Sequence, residues 1–367
     1  MPLNNTNDSV KNSPQRVRLK DVAEQAGLSV AAVSMALKNH RSLPAETIDR
    51  VKALADEMGY APDPALSALA AHRSRLRVKK DFSVIGLVSN WSTEDGWTQL
   101  PSAQAVIDGA KARALELGFT IHHMWSKSEN LSAARFDQIL QTRGIRGLIL
   151  APFEDPADRL ELDWKEYSVV TVEKPFQYTH FHHVVQNHFS DLLLAWQKLR
   201  ERGCQRIGLV VRDDLANRWG HQWESAHHLA QFSTNTREET IPTLQLKGTD
   251  KDEHIDLVKS WLQLFKPEAV ISRCDCFFEA ATDLGLKIPD DLGYVSLNVT
   301  DDEEGVSGIH QHRDVMGATA VDVLNSLLQR NFRGEHQVSV GTQVDGSWIE
   351  GNTLLKEYNG SKNHASA

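Results

Sequence analysis

The stretch that most constrains the fold is residues 18–38, RLKDVAEQAGLSVAAVSMALK, which has the pattern of two short helices joined by a tight turn. Ala23 and Ala26 are small at the positions where two such helices would cross. Gly27 suits the left-handed backbone of the turn, and Ser29 can cap the second helix. This order and spacing predict a helix-turn-helix, a motif that places its second helix in the DNA major groove. An ordinary two-helix corner within a larger domain is the alternative interpretation.

The composition of the 367-residue chain is that of an ordinary globular protein with two or three domains. No segment approaches the roughly 18 consecutive apolar residues of a membrane span, and residues 1–15 lack the apolar core of a signal peptide. Three cysteines, Cys204, Cys274 and Cys276, are too few for a disulfide framework. We therefore expect a cytoplasmic protein, because cysteine use of this kind fits a reducing compartment.

The charge is distributed unevenly along the chain. The formal net charge is −9, but residues 1–80 carry 13 Lys and Arg against 8 Asp and Glu, whereas residues 81–367 carry 27 against 41. A basic N-terminal part on an acidic body is what a module that binds a polyanion would have. The charge pattern therefore supports DNA binding by the helix-turn-helix segment.

Apolar residues of helical period extend the N-terminal module by a third helix, from about Ala45 to Met58, and Gly59 is placed to end it. We therefore expect a three-helix headpiece over residues 16–61. Residues 1–15 are rich in Asn, Ser and Pro and poor in apolar side chains, which is typical of a disordered segment.

A linker is predicted over residues 62–81. Asp63 and Pro64 can begin a short helix over residues 65–72, which is too short to persist alone in water. The second half of the linker is basic and contains Arg73, Arg75, Arg77, Lys79 and Lys80. We call the short helix a hinge helix and expect the basic part to lie near DNA.

From Phe82 onward, apolar runs of strand length alternate with segments of helical period. The strands are predicted at residues 82–88, 147–151, 168–172, 206–211, 268–271 and 293–297. The helices are predicted at about residues 102–117, 131–142, 189–201, 219–230, 252–264, 275–284 and 314–329. This alternation favours parallel sheets covered by helices on both faces, arranged as two similar α/β units with a break near residues 174–187.

Motifs along most of the chain resemble the LacI/GalR family of bacterial transcription regulators. The most specific is LKDVAEQAGLSVAAVSMALKN, and TIDRVKALADEMGYAPDPALSALA follows it at the family's spacing. LGLKIPDDLGYVSLNV and GIHQHRDVMGATAVDVLNSLL are similar to later parts of the family, so the resemblance covers about residues 17–355. It implies an all-α helix-turn-helix headpiece and an α/β two-lobed, periplasmic-binding-protein-like (type I) effector domain over residues 82–355, followed by a polar tail over residues 356–367. It also implies three chain crossovers between the lobes, an effector in the cleft and a homodimer.

The resemblance assigns base contacts to Val30, Ala31 and Met35 on the second helix. The opposite side of that helix is expected to bury Val33, Ala36 and Leu37. All three base-contact positions are apolar here, although the family commonly has an Arg at the place of Met35. Without a side-chain donor or acceptor the helix cannot make the bidentate contact of Arg with guanine, but it can meet thymine methyls. An unused helix face is the alternative.

Polar and basic residues around the second helix are expected to contact DNA phosphates, which set the register and carry most of the salt-sensitive affinity. These residues are Ser29, Ser34, Lys38, Asn39, His40 and Arg41. The resemblance implies that Leu69, on the hinge helix, wedges into the minor groove at the centre of the operator. Docking of Leu66 and Leu69 on the body is the alternative. Pro44 stands where the family usually has a capping Ser or Thr.

The loops that follow the predicted strands are expected to bind the effector, because ligands of open α/β sheets bind at the carboxyl ends of the strands. The candidate residues are Trp91, Trp97, Arg218, Trp219, Asp275 and Asn298. Aromatic rings combined with planar hydrogen-bonding groups suit a sugar. In the resembled family an Arg holds ligand hydroxyls where Trp219 stands here, and an Asn stands at the position of Cys274. Ordinary loop or core roles for these residues are the alternative.

Other functional classes find little support in the sequence. The histidines at residues 180–183 and His188 invite a metal site, but no second cluster at ligand spacing accompanies them, and Cys274 and Cys276 are too close for a zinc knuckle. Phosphate-binding and hydrolase motifs are absent from the sequence, so we expect neither an enzyme nor a cofactor. A sugar-binding receptor without specific DNA binding is the alternative function. The effector, the operator and the sign of control stay open.

Overall fold

A computed structural model of the chain describes residues 17–37, 43–60, 83–128, 131–155, 157–173, 180–234, 240–300 and 303–358. The predicted N-terminal segment and the linker with its hinge helix lie outside the described residues. By its internal contacts the chain divides into two compact units. Residues 1–82 with 326–333 form one unit, and residues 83–325 with 334–367 form the other. Among the described helices, none is long and apolar enough to cross a membrane.

The headpiece contains three helices, as expected. They are α1 (Leu19–Ala26), α2 (Val30–Leu37) and α3 (Ala45–Glu57). Gly27 ends α1 with φ of 68°, and the Leu28 amide donates to the Ala23 carbonyl at 3.0 Å, which closes the turn. The Ser29 hydroxyl then accepts from the Ala32 amide at 3.1 Å and caps α2. The predicted roles of Gly27 in the turn and of Ser29 as the cap of α2 are therefore confirmed.

Six small or medium side chains form the headpiece core. They are Val22, Ala23, Val33, Ala36, Val51 and Ala55, and each is nearly or fully buried. Leu37 packs at the edge of this core and is only partly buried. The alanines let the three helices approach closely, so the orientation of α2 is fixed by packing on a core with little spare volume.

The body consists of two lobes, each built on a six-stranded sheet. The first sheet is parallel throughout, in the order β11-β5-β4-β3-β1-β2. Its strands are β1 (Ser83–Ser89), β2 (Phe119–Trp125), β3 (Gly147–Leu150), β4 (Ser168–Val172), β5 (His182–Gln186) and β11 (Gly341–Val344). Its helices are α4 (Pro101–Leu117), α5 (Ala133–Thr142) and α11 (Arg313–Gln329). A short 3-10 helix occupies Trp164–Glu166.

The second sheet has the order β12-β10-β9-β8-β6-β7, with only the β10–β12 pair antiparallel. Its strands are β6 (Ile207–Arg212), β7 (Leu244–Leu246), β8 (Ala269–Ser272), β9 (Gly293–Ser296), β10 (Gly308–His310) and β12 (Ser347–Ile349). Its helices are α6 (His188–Glu201), α7 (Asp213–Arg218), α8 (Gln222–Thr234), α9 (Lys251–Phe265) and α10 (Phe277–Asp283). The central strands are buried on both faces, which explains their continuous apolar runs.

The chain crosses between the lobes three times, as the resemblance implied. The crossovers lie between β5 and α6, between β10 and α11, and between β11 and β12. The first and third are tied together: the Asn187 amide donates to the Val344 carbonyl at 2.9 Å, and its side chain donates to Asp345 at 2.7 Å. The second and third meet where His312 Nε2 lies 2.7 Å from the Ser347 hydroxyl.

Helices α4 and α11 pack backbone to backbone through two glycines. A Cβ atom at Gly109 would overlap the carbonyl oxygen of Asp314, and a Cβ atom at Gly317 would overlap the carbonyl oxygen of Val106. Glycine at both positions therefore sets the closest distance between the two helices.

All six predicted strands are present to within one residue of the expected bounds. The prediction of a break near residues 174–187 is wrong in part, since residues 182–186 form β5. Five other strands also went unpredicted. β2, like β5, carries histidines, and β7, β10, β11 and β12 are only three or four residues long. The body also extends past residue 355, since Tyr358 packs on the second-lobe core and its amide donates to the Arg202 carbonyl at 2.7 Å.

Candidate nucleic-acid interface and ligand cleft

The outer face of α2 carries the three residues predicted to contact bases. Val30 is 45% exposed, Ala31 is exposed and Met35 is half-buried. Val33 and Ala36 lie on the opposite, buried side. The α2 face is therefore apolar and accessible, and its contact with base edges stays a prediction.

The candidate phosphate contacts are only partly described. Ser29 is exposed, but its hydroxyl caps α2, which leaves its remaining lone pair and its proton for a phosphate. Ser34 is half-buried on α2. Lys38, Asn39, His40 and Arg41, together with the wedge candidate Leu69, lie outside the described residues. Pro44 precedes α3 without a side-chain cap, as expected for an imide.

In the first lobe, the loop after β1 is tied to the loop after β3. The Trp91 indole N–H donates to the Pro152 carbonyl at 2.8 Å, and the Ser92 amide donates to the Glu154 carboxylate at 2.8 Å. Trp97 is only 4% exposed, so its ring offers a ligand almost no surface in this conformation. Trp91 is half-buried and stays the better aromatic candidate of the two.

Arg218 reaches across from the second lobe to the first. It lies at the end of α7, and its two terminal nitrogens donate to the Phe153 and Glu154 carbonyls, each at 2.8 Å. We call this pair of bonds the Arg218 clasp. Arg218 is predicted from the sequence to bind the effector, but in this structure its terminal nitrogens are occupied by backbone acceptors of the opposite lobe.

Removal of the Arg218 clasp is expected to open the cleft. Arg218→Met keeps most of the side-chain length and deletes both charged hydrogen bonds, each worth roughly 1.5–3 kcal/mol when made to a charged group. We expect a larger radius of gyration by small-angle X-ray scattering. Arg212→Met is the matched control, because Arg212 pairs with Asp214 within the same lobe and should leave the radius unchanged. Equal radii for wild type and Arg218→Met would show that the clasp does not hold the lobes.

Trp219 belongs to an aromatic cluster of the second lobe. Its ring lies 4.4 Å from the His188 ring at 35° and 4.6 Å from the Trp223 ring at 70°. His188, the first residue of α6, is 1% exposed, and neither ring nitrogen has a hydrogen-bond partner among the residues that the structure describes. Burial, followed by the charges of Arg313 and Arg273, holds the pKa of His188 well below its usual range, so the ring is neutral.

The loop after β8 places Arg273 beside this cluster. Burial, and then the charge of Arg313, lowers the pKa of the Arg273 guanidinium from its ordinary value. Cys274 and Cys276, both buried, are joined by a disulfide bond that the sequence analysis did not predict. Asp275, between them, is exposed. The disulfide bond therefore restrains the backbone of this short loop, and the Asp275 carboxylate projects from it.

Two elements near the crossovers carry further polar groups. Arg313, at the start of α11, donates from Nη1 to Glu173 at 2.7 Å and from Nη2 to Gln311 at 2.6 Å. Asp191 on α6 is 1% exposed and accepts from Gln186 and from the Gly346 amide, each at 2.8 Å. Burial raises the pKa of Asp191 to about 6. We call Gln186, Asp191 and Gly346 the hinge cluster.

The structure groups some predicted site residues and separates others. Trp91 and Arg218 meet at the loop of residues 152–154, and Trp219 joins the group of His188, Arg273 and Arg313. Asn298, at 6% exposed, follows β9 and shares no described contact with either group. Asp275 is exposed, and its charge acts on the neighbouring Arg273.

Arg313 was not predicted from the sequence as a site residue. His188 was considered only as a metal ligand, and that interpretation was not favoured. The available signal was their position, since each stands at the first residue of a helix that follows a crossover. Among the described residues, no three His, Cys, Asp or Glu side chains lie close enough to hold a metal ion. The neighbouring His182 and His336 instead pack ring to ring at 4.6 Å.

Comparison with known families assigns the two parts of the chain. Residues 18–63 match the model of bacterial regulatory proteins, lacI family, and residues 196–347 match the model of the periplasmic binding protein-like domain. The chain therefore carries a lacI-family helix-turn-helix domain followed by a periplasmic-binding-protein-like domain. Proteins of the lacI family are transcription regulators rather than enzymes, and this domain is their DNA-binding part.

Relatives of 24–25% identity cover most of this chain. The HTH-type transcriptional repressor PurR of Edwardsiella ictaluri (strain 93-146) is 24% identical over 322 residues, which are 83% of this chain and 89% of that protein. PurR of Escherichia coli O1:K1 / APEC is 25% identical over 341 residues, 87% of this chain and 92% of that protein.

Solved structures of LacI-family regulators share the fold. The transcriptional regulator CelR–cellobiose complex has a TM-score of 0.56 at 17% identity, covering 92% of this chain and 100% of that one. The lac repressor dimer bound to operator and the anti-inducer ONPF has a TM-score of 0.53 at 19% identity, covering 93% of this chain and 100% of that one. At these identities the likeness supports the headpiece and two-lobed body.

Proposed function

We propose that this protein is a cytoplasmic repressor that binds a near-palindromic operator as a homodimer and releases it when a small molecule, a sugar in kind, binds between the lobes. The observation that carries the proposal is the accessible outer face of α2 on a capped helix-turn-helix. Similar proteins add support: one is a complex with cellobiose, and another is a dimer bound to operator DNA.

The proposed DNA contacts follow from the α2 face. Val30, Ala31 and Met35 meet thymine methyls, while Ser29 and Ser34 contact phosphates. Lys38, Asn39 and Arg41 add phosphate contacts. An apolar helix face gives weaker direct readout than an Arg–guanine contact worth roughly 1–3 kcal/mol, so a larger share of specificity comes from DNA shape and the Leu69 wedge.

The proposed ligand contacts lie at the strand ends facing the cleft. Trp91 and Trp219 supply aromatic surface, and Asn298 and Asp275 supply polar groups. Ligand binding competes with the Arg218 clasp or changes its geometry, which couples lobe closure to the linker. Control of operator affinity is then a two-state coupling between distinct sites.

Selection of operator sequences from random duplexes by the full-length protein tests this function. We expect a near-palindrome with thymines beneath Val30, Ala31 and Met35, whose affinity changes in the presence of candidate sugars. An invariant guanine beneath Met35 would contradict the apolar readout. Failure to enrich any sequence would favour a ligand-binding receptor without specific DNA binding.

Leu69→Ala is expected to lose most of the affinity for the selected operator while the fold stays intact. The wedge supplies the bend that brings more protein surface to the duplex, so its loss should weaken binding by at least about tenfold. Leu66→Ala is the companion variant on the same hinge helix. Fluorescence anisotropy measures the affinity and circular dichroism the fold. Unchanged operator affinity in Leu69→Ala would rule out the wedge.

A further inference from the structure

We infer that the cleft ligand carries an anionic oxygen group, a carboxylate or a phosphate, which Arg273 binds beside the Trp219–His188 cluster. The inference rests on the proposed function in taking the cleft as the ligand site. It narrows the chemistry of the ligand from a sugar in general to a sugar acid or a sugar phosphate.

The first observation is a guanidinium without a bonded partner. Arg273 directly follows β8, an inner strand of the second sheet, and is partly buried. Within the part of the chain that the structure describes, no hydrogen-bond acceptor is placed on it; Asp275 and Glu303 attract it only through space. Both of these acids are exposed, so solvent screens their effect. The five N–H donors of the guanidinium are therefore uncompensated by any described acceptor.

The second observation is that the positive charge of Arg313 repels that of Arg273, which makes the charged form of Arg273 less stable. Arg313 is close enough for its charge to lower the pKa of Arg273. Arg313 itself is satisfied, because Glu173 accepts from Nη1 while Gln311 accepts from Nε at 3.1 Å and from Nη2. Glu173 thus neutralises the charge of Arg313. Of the two arginines, Arg273 is the one whose charge has no bonded acceptor among the described residues. An anion beside it would offset both its burial and the repulsion.

The third observation is independent of the arginines' own bonding. His188 is 1% exposed and has two ring nitrogens without partners among the described residues. Arg273 follows β8, which pairs in parallel with β6, and Trp219, the ring that packs on His188, comes after β6 at the same edge of the sheet. The charges of Arg273 and Arg313 both act on the His188 ring. Buried polar groups are nearly always hydrogen-bonded in native proteins, so two unsatisfied ring nitrogens beside a guanidinium without a bonded acceptor call for a partner, which a ligand supplies. The neutral ring can donate once and accept once, as ligand hydroxyls require.

The chemistry of these groups selects the ligand class. A guanidinium binds a carboxylate or a phosphate through two parallel N–H···O bonds, and such charged bonds are roughly twice as strong as neutral ones. The Trp219 ring next to His188 offers an apolar face for the remainder of the molecule. A neutral sugar would leave the Arg273 charge uncompensated, whereas a sugar acid or phosphate would pair with it.

The experiment measures thermal shifts and calorimetric affinities of the full-length protein with matched panels. Each panel holds one hexose or pentose as the neutral sugar, the sugar acid and the sugar phosphate, with inorganic phosphate added alone. We expect the anionic members to raise the melting temperature and the neutral ones to have little effect. Binding by the acid alone identifies a carboxylate ligand, and binding by the phosphate alone identifies a phosphate ligand.

Arg273→Gln supplies the decisive variant. It should weaken binding of the anionic ligand by at least about tenfold, because both charged hydrogen bonds are lost. It should also raise the melting temperature of the ligand-free protein, since it removes a partly buried, unpaired charge. Arg212→Gln, an arginine paired with Asp214 at the end of β6, is the matched control and should do neither.

The outcomes separate the inference from the proposed function. If the anionic members leave the melting temperature unchanged, or if neutral sugars bind wild type and Arg273→Gln equally well, the inference is wrong while an operator-binding repressor still stands. If no operator is selected while anionic ligands bind through Arg273, the proposed function is wrong and the inference holds. Arg273→Lys retains the charge but cannot form the two parallel hydrogen bonds of a guanidinium, so it should bind the anionic ligand with intermediate affinity. An intermediate affinity would show that the loss in Arg273→Gln is not due to a folding defect.

Discussion

Replacing Gly109 with alanine should destabilise the first lobe by about 2 kcal/mol or more, although alanine is the better helix former. The new Cβ atom would overlap the carbonyl oxygen of Asp314, a backbone atom that cannot rotate away. Helices α4 and α11 would have to move apart and leave gaps in a packed core. Alanine gains roughly 1 kcal/mol of helix propensity over glycine, so the steric cost must exceed that gain for the variant to lose stability. Gly109→Val should have the larger effect.

Urea unfolding followed by circular dichroism measures this loss. Ala112→Gly, at an exposed position of the same helix, is the control and should lose only about 1 kcal/mol through propensity. Gly317→Ala, on the facing helix, should repeat the effect because its Cβ atom would overlap the carbonyl oxygen of Val106. A Gly109→Ala protein more stable than wild type would show that the two helices are not in backbone contact.

Asp191→Asn should become progressively more stable relative to wild type as the pH rises from 4 to 7. The folded-state pKa of Asp191 is about 6, above the ordinary value of 3.8, because burial disfavours the carboxylate. The folded protein therefore binds this proton more tightly than the unfolded chain does, and stability from this group is lost as the pH rises through that range. The shift corresponds to roughly 3 kcal/mol between the two limits.

The measurement is the difference in unfolding free energy between the two proteins at several pH values, which cancels the titration of all other groups. The asparagine side chain of the variant cannot ionise, and its amide can keep one bond to Gln186 or to the Gly346 amide. Asp290→Asn is the control, because that side chain is exposed and is not among the groups that shift the pKa of Asp191. A difference that is flat with pH, or that favours wild type at pH 7, would contradict the buried state of Asp191.

Local patterns predicted the parts of the fold that local physics determines. The turn at Gly27, the cap at Ser29 and the apolar strands of both lobes follow from side chains within a few residues. The strands β2 and β5 escaped prediction because histidines interrupt their apolar pattern. Strand pairing, not composition, makes these segments extended.

The candidate ligand residues follow predicted strands, and the structure brings only some of them together. Trp91 and Arg218 meet at the loop of residues 152–154, and Trp219 packs on His188. The sequence does not reveal that Arg218 bonds to carbonyls 64 and 65 residues away, or that Arg313 leaves Arg273 as the uncompensated cation. Such assignments depend on distances across the fold, which periodicity and spacing do not contain.

The acceptors of the Arg218 clasp are main-chain oxygens, and this has a consequence for how the regulator can be re-engineered. Any amino acid at positions 153 and 154 presents the same two carbonyls, provided that the loop keeps its path. The clasp therefore does not depend on the side chain at either position, although Phe153 is buried in the first-lobe core and the Glu154 carboxylate holds the Ser92 amide. A library directed at the first-lobe loops should yield altered ligand preference more often than constitutive opening, whereas randomising position 218 should do the reverse.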